Sequence, residues 1–117
     1  MCFRRSLLFC FALGASSAGA QEYQQGIGVW SCQKFVPAIF ETEGQVAAYS
    51  WAMGYIAGIN TAKIIDFANY FDVSEIDDVT VLSHMIAFCR SHPNLPVIAA
   101  VDSLLPRLPV AVWSDRK

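Results

Sequence analysis

Charge is scarce in this sequence. Asp, Glu, Lys and Arg make up 15% of 117 residues, below the usual quarter, while 55% are hydrophobic. That composition excludes a disordered or nucleic-acid-coating chain. Eight Lys and Arg stand against ten Asp and Glu, which leaves no basic footprint for a polyanion. Histidine is rarer still, with His84 and His92 the whole supply. A Gly-rich phosphate loop and a G-x-S-x-G elbow are both absent. No apolar run approaches the roughly 20 residues that span a bilayer. The length leaves room for one domain, so cofactor-plus-substrate architectures are excluded.

The first 20 residues read as a cleaved export signal. Arg4 and Arg5 form a positive start, Leu7 to Leu13 is an apolar run of seven, and Ala18-Gly19-Ala20 supplies the small-residue cleavage site before Gln21. A lipoprotein reading fits poorly, because Phe9 precedes Cys10 where a small residue belongs. Removal of 1–20 leaves 97 residues, a net charge of −4, and two cysteines, Cys32 and Cys89. In a small exported domain two cysteines most simply form one bridge; the other reading is two unconnected buried thiols. With no C-x-x-C pair and so few histidines, no zinc site is expected.

Helical periodicity dominates the chain beyond residue 30. Residues 21–30 are expected to be a flexible arm. Ser31 reads as the cap of a short helix from Cys32 to about Phe40, whose Cys32, Phe35, Val36 and Ile39 share a face. Pro37 is expected to start or kink it. A longer helix is expected from about Gly44 to Ala62, apolar on several sides and so central. Its Gly54 and Gly58, four apart, suggest close approach by a neighbour. Residues 62–78 break the pattern and read as a long connection rich in aromatics and acids. Asp77 or Asp78 then caps a third helix carrying Val81, Met85 and Cys89 on its core face.

Pro93 ends that helix, and Asn94 is expected to cap a fourth through Val97, Ile98, Val101, Leu104, Leu105 and Leu108, ended or kinked by Pro106. Residues 110–117 form a tail in which Trp113 is able to fold back. No strand pair stands out. The expected fold is all-α, a small four-helix bundle of the orthogonal type over 31–109, stapled by one disulfide.

Catalytic chemistry finds little support. His84 lies on the side of its helix away from the core, and His92 stands at a helix end, where a histidine commonly complements the dipole. Asp66, Asp72, Glu75, Asp77 and Asp78 lack the glycine of a calcium loop, and solvation and capping account for them. We expect no enzyme, no metal and no cofactor.

Trp30-Ser31-Cys32-Gln33-Lys34-Phe35, paired with Phe88-Cys89-Arg90-Ser91-His92-Pro93, resembles the HdeA/HdeB family of periplasmic acid-stress chaperones. The resemblance covers most of the chain after residue 20. It implies a Cys32–Cys89 bridge with Trp30 and Phe35 beside it, and a homodimer near neutral pH. It also implies a holdase that loosens in acid and shields unfolded or acid-denatured periplasmic proteins. Trp51, Tyr55, Phe67, Tyr70 and Phe71 are the expected client-binding residues. The helix Gly54-Tyr55-Ile56-Ala57-Gly58 followed by a second cysteine helix also resembles periplasmic immunity proteins of the Tai kind, which neutralise a secreted cell-wall-degrading effector. A non-catalytic envelope accessory is the third reading. No nucleic acid or membrane span is expected as a partner.

Overall fold

A computed structural model describes residues 26–114. The expected export signal 1–20, residues 21–25 of the expected arm and 115–117 of the expected tail lie outside the described residues. In chain order the elements are α1 (Cys32–Ala38), α2 (Thr42–Phe67), β1 (Asn69–Phe71), α3 (Asp78–Ser91), α4 (Val97–Leu104) and β2 (Val110–Val112). Short 3-10 turns occupy Ile27–Val29 and Leu105–Arg107.

The four helices and the bridge are present, but the fold is not purely helical. β1 and β2 form an antiparallel ribbon with Asn69 opposite Val112, Tyr70 opposite Ala111 and Phe71 opposite Val110. The sequence hides this pair because each strand has three residues, too few to display a period, and the partners lie some 40 residues apart.

α1 begins as its cap residue dictates. Ser31 Oγ accepts from the Lys34 N–H at 3.3 Å. Two further N–H groups of the first turn are met from outside the helix. Cys32 N–H donates to the Leu95 carbonyl at 2.8 Å, and Gln33 N–H to the Pro93 carbonyl at 3.0 Å. Val97 N–H returns to the Trp30 carbonyl at 2.9 Å. These bonds stitch the start of α1 to the α3–α4 connection, where the disulfide also joins them. Cys32 and Cys89 are bridged, with Cα atoms 4.7 Å apart across 57 residues. Both are fully buried with Phe35, Ile39, Val81, Met85, Val97, Val101 and Leu104, and Trp30 packs against the same cluster.

α2 departs from expectation at both ends. It starts at Thr42 and runs to Phe67, well past Ala62, because no glycine or proline occurs between Gly58 and Pro93 to stop it. Ala68 terminates it in the left-handed conformation, φ 53°. Ala48, Ala52 and Ile56, four apart, are the buried stripe, so the helix lies on the core by one narrow face. Gly54 and Gly58 face open space, with no atom within 4 Å of a Cβ placed on either. The neighbour expected there is absent among the described residues; the buried alanines supply the close packing instead.

α3 matches its reading. The Asp77 carboxylate accepts from the Thr80 N–H at 2.7 Å, and Val81, Met85 and Cys89 are buried. α4 does not use Asn94. Its cap is Pro96, extended at φ −73° and ψ 153°, with no side-chain bond. Pro106 converts the end of α4 into the turn Leu105–Arg107, which delivers the chain to β2.

Candidate functional site

The aromatic residues singled out from the sequence fall into two groups along α2. Trp51 and Tyr55, one turn apart, stack with ring centres 5.3 Å apart and planes 8° from parallel. Phe67, Tyr70 and Phe71 lie at the far end. Some 12 to 16 residues separate the groups, roughly 20 Å along a helix at 1.5 Å per residue.

Trp51 and Tyr55 are only partly exposed, and their cover is thin. The turn Ile27–Val29 lies across Trp51, and Gly28 is buried there. A Cβ on Gly28 meets the indole six-membered ring directly, so only glycine permits this approach. Tyr55 is tied by its hydroxyl, which donates to Asp102 Oδ1 of α4 at 2.7 Å. Burial, followed by the Asp102 carboxylate, pushes the Tyr55 phenol up to about 12. The raised phenol value adds stability that is complete at neutral pH and is lost as pH rises from the unfolded phenol's value near 10 toward 12. Gly28→Ala is expected to displace Trp51, at a cost of about 1–3 kcal/mol typical of overpacking. Tryptophan emission should shift to the red at pH 7; an unshifted spectrum with unchanged stability contradicts the packing described.

The distal group is more open. Phe67 is 69% exposed, while Tyr70 and Phe71 are half-buried. Lys63 Nζ lies 4.7 Å from the Phe71 ring centre and 5.8 Å from that of Phe67. The ammonium therefore faces aromatic rings. Trp113 does fold back, meeting Tyr70 edge-on at 6.2 Å. Asn60 holds β1 against α2. Its amide donates to the Phe71 carbonyl at 2.9 Å and accepts from the Phe71 N–H at 2.8 Å. Sequence reading missed Asn60, Gly28 and Asp102. The one usable signal was an asparagine inside a helix, where its propensity is poor.

The histidines have local partners. His92 Nδ1 lies 3.0 Å from the Phe88 carbonyl, and its ring stacks on Phe88 at 4.3 Å. His84 Nε2 lies 2.7 Å from Ser103 Oγ, whose own hydroxyl donates to the Ala100 carbonyl at 2.7 Å. Ser103 has one proton to give, so His84 Nε2 carries the hydrogen of their bond. Burial, with the Arg107 guanidinium second, holds His84 below its usual 6.5. It faces an open groove of about 540 Å³ walled by Ile76, Val79, Leu104 and Leu108, with Arg107 at its edge.

Two carboxylates sit below their ordinary range. Asp72 is held down by the hydroxyl and then the N–H of Ser74, and Asp77 by those of Thr80 in the same order. Among the described residues no group of three or more His, Cys, Asp or Glu is gathered as a metal would need. No helix among them is long and apolar enough to cross a membrane. Comparison with protein-family models, curated proteins and solved structures gives no match.

Proposed function

We propose that this chain is an exported, periplasmic acid-stress holdase, built on a small orthogonal four-helix bundle and released by acid to bind denaturing proteins through apolar surface. The observation that carries the reading is the aromatic series of α2 and β1. Trp51, Tyr55, Tyr70 and Phe71 are kept at partial exposure by thin cover and a few polar ties rather than sunk in the core, and Phe67 is exposed. Apolar groups gathered at a surface mark interaction sites more than scattered ones do, and an apolar surface that can be uncovered is what a holdase requires. The disulfide supports the same reading, since it keeps an acid-loosened chain compact. Charge supplies the drive. After removal of 1–20 the chain carries −4 at neutral pH and +8 once every carboxylate and both histidines are protonated.

The test uses three purified, unrelated enzymes that aggregate on acidification. Substoichiometric to equimolar protein should suppress light scattering by all three near pH 3. Failure to protect any of them contradicts the proposal. Tight one-to-one binding of a single cell-wall-degrading effector at pH 7, without protection of the enzymes, assigns the immunity role instead.

A further inference from the structure

The ribbon has one sealed edge and one open edge, and their difference follows from its register. Trp113 N–H donates to the Ala68 carbonyl and Asp72 N–H to the Pro109 carbonyl, each at 2.8 Å. In an antiparallel ladder, bonded and non-bonded pairs alternate. Ala68·Trp113, Tyr70·Ala111 and Asp72·Pro109 are thus the bonded pairs, while Asn69·Val112 and Phe71·Val110 are not. The backbone groups of Asn69 and Phe71 on β1, and of Val110 and Val112 on β2, point away from the ribbon.

On β1 that outward edge is closed at Phe71, because the Asn60 carboxamide both donates to and accepts from it in the manner of a neighbouring strand. On β2 nothing equivalent exists. Among the described residues no backbone bond from outside the ribbon reaches the N–H or C=O of Val110 or Val112, and the two residues are 59% and 79% exposed. Two donors and two acceptors therefore lie in line along an uncharged edge. Such an edge is a template for another strand.

We infer that the outer edge of β2 captures a short extended segment of a non-native polypeptide by strand addition. The inference deepens the holdase reading and rests on it for the identity of the partner. A folded protein has already paired its backbone, whereas a denaturing one offers what the edge lacks, free N–H and C=O groups at strand spacing. An added strand sets alternate side chains against Val110 and Val112 on one face and against Ala111 and Trp113 on the other. The apolar lining on both faces, with no charge between Pro109 and Trp113, selects an apolar segment. Three residues of register make the capture weak and reversible, as suits a protein that must release its clients.

The probe is a synthetic seven-residue peptide of alternating valine and threonine with lysine at both ends, added to the full exported chain at pH 7. Binding should slow hydrogen exchange at the Val110 and Val112 amides at least about tenfold. The same peptide N-methylated at every second residue should not bind. Val112→Pro removes an outward donor and no ladder bond, a position where edge strands tolerate proline. It should weaken peptide binding about tenfold or more, while Val112→Thr retains it. Should Val112→Pro disturb the fold, the N-methylated peptide still decides.

Equal binding of both peptides, or protection confined to other residues, overturns the inference. A wild-type dimer in sedimentation that Val112→Pro dissolves also overturns it, by assigning the edge to a second copy. Peptide capture without any protection of acid-denatured enzymes leaves the edge intact and removes the holdase reading. Protection without peptide capture does the reverse.

Discussion

Removing the bridge is expected to bring the protein close to unfolding at neutral pH. Cys32 and Cys89 close a loop of 57 residues, and chain entropy assigns such a cross-link about 4 kcal/mol. A domain of this size has a total stability of about 5–15 kcal/mol. The replacement C32A/C89A should therefore lower the melting temperature by roughly 15–30 °C, at about 4–8 °C per kcal/mol. The position of the bridge adds a local effect. It fastens α1 to α3 where Cys32, Gln33 and Val97 make their backbone bonds to Leu95, Pro93 and Trp30. Loss of the cross-link should thus expose those amides to hydrogen exchange before the middle of α2. Urea titration with and without reductant gives the magnitude, and a change below about 1 kcal/mol contradicts the account.

Acid is expected to loosen the fold in two steps with different causes. His84 is held below 6.5 in the folded chain, so the unfolded chain takes up its proton first. The stability that neutral His84 contributes is complete above about pH 6.5, and falls as pH drops from there through the folded value. Protonation also places a second cation beside Arg107, at the groove between α3 and α4. The second step belongs to the carboxylates. Asp72 and Asp77 are held below 3.8 by the Ser74 and Thr80 groups they accept from, so their contribution is complete above about pH 4 and lost below it. Asp77 caps α3, the helix that carries Cys89, and its loss frees the first turn of that helix.

Dye-detected apolar surface should consequently rise between about pH 5 and 2, with helical signal partly retained as in other acid-expanded states. H84Q should flatten the stability profile between pH 7 and 5 without altering the lower step. D77A should lower stability at pH 7, as other cap deletions do, and reduce the fall below pH 4. A single step unaffected by either variant contradicts this division.

Legibility in the sequence varies from element to element. Ser31, Asp77 and the Val81–Met85–Cys89 series act locally, through cap chemistry and a 3.6-residue period, and they occupy the places their pattern implies. The end of α2 is misread from sequence because its aromatic and acidic residues resemble a connection, whereas neither glycine nor proline interrupts the run from Gly58 to Ala68. The ribbon is invisible, since its pairing joins segments some 40 residues apart by backbone bonds that carry no side-chain signature.

The five aromatics are legible as a group by composition, and their division into a covered pair and an open cluster is not. Gly28, Asn60 and Asp102 produce that division from three separate parts of the chain. Gly54 and Gly58 show the opposite failure, a strong local motif that meets no neighbour.

The central claim is that acid changes this protein, and not merely its clients. A client unfolded at every pH, such as reduced and alkylated lactalbumin, separates the two. Binding of that polypeptide, followed by fluorescence anisotropy from pH 7 to pH 2.5, should be weak at neutral pH, where only β2 and the Phe67 cluster are open. It should tighten at least about tenfold as the cover over Trp51 and Tyr55 is released. Affinity that stays constant across the range, or binding absent throughout, contradicts an acid-released holdase.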